Sequence, residues 1–309
     1  MAPVAGGGYF CKEGETVKPV AFEYCRPETI AEAAGVLAQF REEAAVLAGG
    51  MTLGPMLNLR ITRPRVVIDV TRIRGLDSID VRGGTVATGA TLVQADALES
   101  YVLRREVPLL ALALPWVGHF QTRNRGTLGG SVAHADPSAE IPLCLVVTDG
   151  AVVLRSKRRE RRVPAREFFL GALTTARRPD ELLVAIEWRR AAPDAGYAFE
   201  EIAQRHGDFA IAAAACQVRL DGDGRIAALA LGLGGIEDRP IAVETSDFLG
   251  RAADEGTAAE LAERAVQSVV AMEDHVAGAE FRLALSRELI RRVMPRAIAD
   301  ARLRVEWLQ

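Results

Sequence analysis

Two pairs of adjacent glycines constrain this chain more than any other feature of its sequence. The first pair, Gly49-Gly50, directly follows the apolar run 45–48, and the second pair, Gly129-Gly130, lies between the hydroxyl residues Thr127 and Ser131. Glycine reaches positive φ angles that turn successive N–H groups toward one anion, and it has no Cβ to hold that anion away. We therefore expect the two segments to form loops that together hold the pyrophosphate of a dinucleotide.

The surroundings of the first pair support this interpretation. A predicted strand precedes it, and Leu53, Met56 and Leu57 follow it at helical spacing. A helix that starts beside a glycine turn adds its own N–H groups to an anion site. Neither pair matches G-x-G-x-x-G or G-x-x-x-x-G-K-[ST], so the sequence indicates neither a Rossmann nucleotide site nor a P-loop.

Length and composition limit the remaining possibilities. A chain of 309 residues is long enough for two domains, and its net charge of −3 gives no general reason to expect nucleic acid as a partner. The four cysteines are far apart and form no C-x-x-C pair, which argues against a zinc or iron–sulfur site in this chain and for a cytoplasmic location with free thiols. We find no signal peptide pattern and no apolar run long enough for a membrane span.

The first half of the chain alternates between strand and helix patterns, which indicates an α/β unit. Strands are predicted at 65–70 and 84–90. Two capping boxes, Thr29-Ile-Ala-Glu32 and Thr91-Leu-Val-Gln94, predict helix starts, the second for a helix that runs to about Leu103.

The second half has the pattern of an antiparallel sheet followed by helices. The turn sequence 221–224 (DGDG) predicts a hairpin between two strands. Phe281, Leu285, Leu289 and Val293 predict the buried face of a last helix because they recur every four residues. We expect three regions: a loose N-terminal extension at 1–16, a first domain at 17–189 and a second domain at 190–309.

Several segments together resemble a known family. AGGMTLGPMLNLR (48–60) and RNRGTLGGSVAHADPSAEIP (123–142) look like the FAD-binding, or medium, subunit of molybdenum hydroxylases, in particular the medium subunit of aerobic carbon monoxide dehydrogenase. The resemblance continues through 166–188, 199–215, which contains R-x-G-D-F-A, and 273–285. It covers almost the whole chain from Val17 onward.

This resemblance implies an α+β fold. The first domain would be an FAD-binding domain of the PCMH or vanillyl-alcohol-oxidase type, with FAD stretched between two α/β subdomains. The second would be the C-terminal domain of carbon monoxide dehydrogenase flavoproteins, with a three-stranded antiparallel sheet and helices.

The resemblance also implies partners. In such complexes a large subunit with the molybdopterin cofactor oxidises the substrate, and a small subunit with two [2Fe–2S] clusters passes the electrons to the FAD of the medium subunit. The complex is typically a dimer of heterotrimers, and the final acceptor is a quinone, NAD or oxygen. This chain would then be a subunit of an FAD-dependent oxidoreductase with no catalytic residue and no metal ligand of its own.

Residues that match the family's FAD contacts come from both glycine motifs and from three isolated positions. They are Ala48, Gly49, Gly50, Met51, Thr52, Val117, Thr127, Leu128, Gly129, Gly130, Ser131, Glu140 and Leu183. Tyr197 and Phe199 match positions near the isoalloxazine ring. Ser131 replaces the family's usual asparagine, and Glu200 and Glu201 stand where relatives often have a lysine, which argues against a flavin role for these two acids.

Two alternatives accompany this hypothesis. The first is a self-sufficient flavin oxidase of the same fold, although only about 120 residues follow the flavin domain. The second is a protein that binds nucleic acid through the basic run 155–162, which also fits a solvated hairpin turn or a contact with a partner subunit.

Overall fold

The computed structural model describes residues 19–308. The expected extension at 1–16 and the expected start of the first domain at Val17 lie outside this range. Three larger sheets organise the described chain, and each is covered by helices that bury a separate apolar cluster. A fourth sheet, of two short strands, lies within 169–175. The α+β fold class is confirmed.

The first subdomain is a parallel three-stranded sheet in the order β1-β3-β2. Its elements are β1 (Glu23–Cys25), α1 (Ile30–Phe40), β2 (Ala44–Leu47), α2 (Leu53–Asn58) and β3 (Val66–Asp69). The predicted start of α1 is confirmed, because Thr29 is its N-cap and its hydroxyl accepts a hydrogen bond from the N–H of Glu32 (3.2 Å).

The second subdomain is an antiparallel five-stranded sheet in the order β4-β5-β10-β6-β7, with helices inserted between its strands. The first elements are β4 (Ile79–Arg82), β5 (Thr85–Gly89), α3 (Gln94–Glu99), α4 (Tyr101–Glu106), α5 (Pro108–Ala113), α6 (Phe120–Arg123), α7 (Leu128–His134) and α8 (Glu140–Val147). The remaining ones are β6 (Ala151–Arg155), β7 (Glu160–Pro164), α9 (Ala165–Phe168), β8 (Phe169–Gly171), β9 (Thr174–Thr175) and β10 (Leu182–Arg189).

The second capping box does not start a helix as predicted. The N–H of Thr91 donates to the carbonyl oxygen of Leu76 (2.7 Å), so this residue belongs to the end of a sheet connection. The helix begins at Gln94 and ends at Glu99, after which Ser100 caps α4 through the N–H of Leu103 (3.2 Å). A tertiary hydrogen bond therefore overrides the local capping signal at Thr91.

The C-terminal domain contains an antiparallel sheet in the order β11-β12-β13-β14, covered by two helices. Its elements are β11 (Ala195–Ile202), β12 (Ala212–Leu220), β13 (Ile226–Gly234), β14 (Ile241–Val243), α10 (Glu255–Gln267) and α11 (Ala279–Leu308). Its three long strands match the expected three-stranded sheet, and the short β14 adds a fourth at the edge.

The apolar stripe predicted for the last helix is only partly buried. Leu289 and Val293 are fully buried against the sheet, whereas Phe281 is 53% exposed because Arg282 and Ser286 form the buried face at this end of α11. None of the helices within residues 19–308 is long and apolar enough to cross a membrane.

Candidate functional site

One large cavity of about 810 Å³ lies where the two subdomains and the C-terminal domain meet. This volume falls in the upper part of the range of about 300–1,000 Å³ that is usual for small-molecule and cofactor sites. All the site residues predicted from the sequence line this cavity except Leu128, whose side chain is fully buried in the core of the second subdomain. Residues more than 130 positions apart in the chain, from Ala48 to Leu183, are therefore brought to one site.

The first glycine motif forms an open turn between β2 and α2. Gly50 has a φ of 76°, a conformation that residues with a Cβ rarely adopt. Among the hydrogen bonds of residues 19–308, none takes up the N–H groups of Gly50, Met51 or Thr52, and the Thr52 side chain makes no capping bond to α2. The turn therefore presents unpaired donors to the cavity, as an anion site requires.

The second glycine motif is not the loop that we predicted, because Gly129 and Gly130 lie in the first turn of α7. Thr127 is the N-cap, and its hydroxyl accepts a hydrogen bond from the N–H of Gly130 (2.9 Å). The N–H of Gly129 donates to the carbonyl oxygen of Ala90 (3.0 Å). The N–H groups of Gly129 and Gly130 are thus already used inside the protein, and both glycines have helical backbone angles.

The glycines of the two motifs also allow close backbone contacts. A Cβ on Gly49 would lie 2.0 Å from the carbonyl oxygen of Arg125, and a Cβ on Gly129 would lie 2.4 Å from that of Ala90. Such distances are impossible without backbone movement. Gly49 therefore joins the first motif directly to the segment that precedes the second, and Gly129 lets α7 pack against the end of β5.

Gln94 is a cavity residue that we missed from the sequence, where it appeared only as part of a capping box. It is 5% exposed, lines the cavity, and packs against Gly126, whose Cβ would lie 2.6 Å from Oε1 of Gln94. Its Oε1 has no hydrogen-bond partner within the described chain. A buried polar atom without a partner in a cavity wall is typical of a ligand contact.

Glu140 begins α8 and lines the cavity, where it is 7% exposed. Burial, with a smaller contribution from the nearby Asp136, raises the pKa of its carboxyl to about 7. Glu201, on β11, interacts electrostatically with this carboxyl. Burial, followed by the charge of Glu140, raises the pKa of Glu201 to about 9. Two buried acids, one from the first domain and one from the C-terminal domain, therefore interact electrostatically.

The expected lack of a flavin role for Glu200 agrees with its contacts, because its carboxylate pairs with Arg292 (3.1 Å) and Arg296 on α11. Tyr197 and Phe199 do not line the cavity. Both are buried in the core of the second subdomain, where Phe199 contacts Trp116 with ring centroids 6.4 Å apart.

The C-terminal domain contributes a loop to the cavity wall. Gln204, Gly207, Asp208 and Phe209 lie between β11 and β12, and the last three belong to the R-x-G-D-F-A segment. Gly207 has a φ of 88° and packs against His119, which a Cβ at this position would meet at 2.4 Å. The glycine of this segment is therefore needed to seat the loop against the first domain.

Comparisons with known proteins agree with this architecture. The family described as "FAD binding domain in molybdopterin dehydrogenase" matches residues 20–188, and that described as "CO dehydrogenase flavoprotein C-terminal domain" matches residues 197–297. The chain belongs to the FAD-binding medium subunits of molybdenum hydroxylases.

Individual relatives are similar over nearly their whole length. The carbon monoxide dehydrogenase medium chain of Hydrogenophaga pseudoflava is 32% identical, with 91% of this chain and 98% of the relative covered. The 6-hydroxypseudooxynicotine dehydrogenase complex subunit alpha of Paenarthrobacter nicotinovorans is also 32% identical, with coverages of 93% and 97%. A solved structure of carbon monoxide dehydrogenase from Hydrogenophaga pseudoflava has a TM-score of 0.88, with 91% of this chain and 99% of that one covered at 32% identity.

The cavity fits the FAD that this family binds. It has the volume for a dinucleotide, and the turn at Gly50–Thr52 offers unpaired N–H groups to a phosphate. Gly130 faces the cavity beside it, and a Cβ there would meet only the hydroxyl of Thr127 (2.8 Å). A side chain at this position would therefore project into space that the cofactor needs.

Proposed function

We propose that this chain carries FAD in the cavity and transfers electrons from the [2Fe–2S] clusters of a partner subunit to an external acceptor. One observation carries the proposal: residues from both glycine motifs, β10 and the C-terminal domain converge on a single cavity of dinucleotide size. FAD, when bound, supplies the redox chemistry of this step. The protein contributes by binding, orienting and shielding the cofactor.

We propose that the predicted residues contact FAD as the family resemblance implies. The N–H groups of Gly50, Met51 and Thr52 bind the pyrophosphate, while Ala48 and Gly49 set the turn. In the second motif, Thr127, Gly129, Gly130 and Ser131 form the opposite wall, behind which Leu128 anchors α7 in the core. Val117, Glu140 and Leu183 bind the parts of the cofactor beyond the pyrophosphate.

We further propose that the complex contains a large molybdopterin-cofactor subunit and a small [2Fe–2S] subunit, arranged as a dimer of heterotrimers. The names of the relatives, which include a "medium chain" and a "complex subunit alpha", support a multi-subunit assembly. This support also favours an electron-transfer subunit over a self-sufficient oxidase.

We propose a domain division into 17–189 and 190–309 and a cytoplasmic location. The change from one sheet to the next between β10 and β11 supports the division. Cys25, Cys144 and Cys216 are free thiols, as is usual for proteins of reducing compartments.

The basic run 155–162 gives little support to nucleic-acid binding. It forms the hairpin between β6 and β7, and three of its arginines pair with acids: Arg155 with Glu160 (3.1 Å), Arg161 with Glu181 (2.8 Å) and Arg162 with Glu187 (2.6 Å). Charges that are neutralised in this way are poor phosphate ligands.

The function is tested by purifying the chain from its native host and recording an absorption spectrum with a metal analysis. We expect flavin bands together with molybdenum and iron from co-purifying subunits. A flavin-free chain that purifies alone would contradict the proposal, and nucleic-acid binding that weakens with salt and needs no flavin would favour the alternative.

A further inference from the structure

We infer that Arg177 supplies the positive charge that pairs with the pyrophosphate of bound FAD, an inference that rests on the function proposed above. The family resemblance assigned no role to this residue, which lies in the turn between β9 and β10.

The inference starts from the charges in the cavity wall. Four acids line it: Asp136, Glu140, Glu181 and Asp208. Within the described chain, Arg177 is the one arginine or lysine that lines it. A pyrophosphate brings negative charge into a site that is already rich in carboxyl groups. Its binding therefore calls for every available positive charge.

The side-chain contacts leave the charge of Arg177 without an acidic partner. Its Nη1 donates to the carbonyl oxygens of Glu181 (2.8 Å) and Arg178 (3.2 Å), so the guanidinium is held in place by neutral groups. The nearest acid, Glu181, is occupied by the two-pronged contact of Arg161, with distances of 3.0 and 2.8 Å. No carboxylate of residues 19–308 lies within ion-pair distance of Arg177.

The electrostatics agree with this geometry. Burial lowers the pKa of Arg177, and the more distant charge of Glu181 offsets this effect only in part. A half-buried guanidinium that has no carboxylate partner is a favourable site for an anionic ligand.

The position of Arg177 relative to the second glycine motif strengthens the argument. The strand β9 packs against α7, and the N–H of Leu173 donates to the carbonyl oxygen of Ala135 at the end of that helix (3.1 Å). Arg177 follows β9 by two residues and thus lies on the side of the cavity formed by α7. The N–H groups of Leu128, Gly129 and Gly130 already have acceptors, so the first turn of α7 offers no free backbone donors here and a side chain such as Arg177 can supply them.

A purely structural role is the competing explanation, because Nη1 also fixes the turn before β10. The two roles differ in what they predict for the ligand. A residue that pairs with phosphate affects ligands that contain phosphate and responds to salt, whereas a residue that only fixes the turn affects all ligands equally.

The test uses the full chain freed of flavin and compares wild type with Arg177→Met, Arg177→Lys and Arg178→Met. The last is the matched control, since the neighbouring Arg178 is exposed and does not line the cavity. Dissociation constants are measured for FAD directly and for ADP and adenosine by competition against FAD. Circular dichroism and thermal unfolding check that each variant is folded.

We expect Arg177→Met to weaken FAD and ADP by at least about tenfold, the usual consequence of losing a hydrogen bond to a charged group. Adenosine binding should not change, Arg177→Lys should keep most of the affinity, and Arg178→Met should match wild type. Equal binding of ADP by wild type and Arg177→Met would overturn the inference, as would equal losses for ADP and adenosine.

Two further outcomes are distinguishable. If Arg177→Met does not fold, Arg177→Gln replaces it in the same competition, and equal binding of ADP by wild type and Arg177→Gln overturns the inference. If the wild-type chain binds no FAD at all, the proposed function fails and not merely the role of Arg177.

Discussion

At Gly50 the backbone adopts a φ of 76°, whereas Gly129 and Gly130 lie in an α-helix. In the first motif three consecutive N–H groups have no acceptor within the described chain, and in the second motif the corresponding groups bond to Ala90, Leu92 and Thr127. Two similar glycine pairs thus serve different physical purposes. The first pair leaves backbone N–H groups without an acceptor. The second pair lets α7 approach the end of β5 and leaves a cavity wall without side chains.

This difference teaches that a glycine pair is ambiguous until its neighbours are known. Glycine is required in both motifs, but a positive φ explains only Gly50, while absence of a Cβ explains Gly49 and Gly129. Because the helical N–H groups of the second motif already have acceptors, we infer that a side-chain cation, Arg177, supplies donors opposite the first motif.

The largest effect is expected where the two motifs touch. Gly49→Ala places a Cβ 2.0 Å from the carbonyl oxygen of Arg125, and neither backbone can yield without moving its motif. We expect a loss of about 3 kcal/mol in the free energy of unfolding, at the upper end for overpacking, together with loss of FAD. Urea unfolding and flavin absorbance check both. Gly54→Ala is the control, since a Cβ there meets nothing within 4 Å; wild-type behaviour of both variants would contradict the contact.

The next effect concerns Glu140, which lies beyond the second motif. Its pKa is about 7 in the folded chain and 4.5 ordinarily, so the folded state binds more protons between these values. Protonation of Glu140 therefore stabilises the folded state fully below the ordinary pKa of 4.5, and this stabilisation is lost as the pH rises through the folded-state pKa of about 7. The total loss in the free energy of unfolding is about 3 kcal/mol. We expect Glu140→Gln to remove this slope when urea unfolding of the flavin-free chain is measured from about pH 5 to about pH 8. An unchanged slope would show that another group causes the pH dependence of the free energy of unfolding. The same measurement on Glu201→Gln tests whether the neighbouring acid is that group.

A side chain at Gly130 should separate cofactor binding from folding. Gly130→Val puts two methyl groups beside the cavity, and its Cβ meets only the Thr127 hydroxyl, which must rotate away and give up its capping bond to the N–H of residue 130. We expect FAD affinity to fall at least about tenfold while the free energy of unfolding changes by no more than about 1 kcal/mol. Equilibrium flavin binding and thermal unfolding measure the two quantities. Retained FAD would show that α7 does not form the wall of the cofactor site.

The smallest effects should distinguish the two threonines. Thr127→Val removes the cap of α7 and should cost about 1 kcal/mol of stability. Thr52 makes no capping bond, so Thr52→Val should leave stability within about 0.5 kcal/mol of wild type and weaken FAD instead. The measurements are urea unfolding without FAD and titration with FAD. Equal losses of stability in the two variants would contradict the different roles assigned to Thr127 and Thr52.

The sequence predicted much of this architecture. The alternation of strands and helices, the DGDG hairpin and the capping box at Thr29 depend on local chemistry, and the structure confirms the elements that they predict. The resemblance added the family, which the comparisons show. Local patterns failed at Thr91, where a tertiary hydrogen bond decides the outcome, and at Phe281, where Arg282 is buried in its place.

The sequence by itself identified the two glycine motifs and the resemblance to a family that binds a dinucleotide. Only the tertiary structure decided which glycine turns the backbone, which packs against a strand, and which side chains join them at the cavity. Gln94 and Arg177 carry no local signal, because their significance comes from a missing hydrogen-bond partner and a missing carboxylate. Such absences depend on groups distant in the chain, which short sequence patterns do not encode.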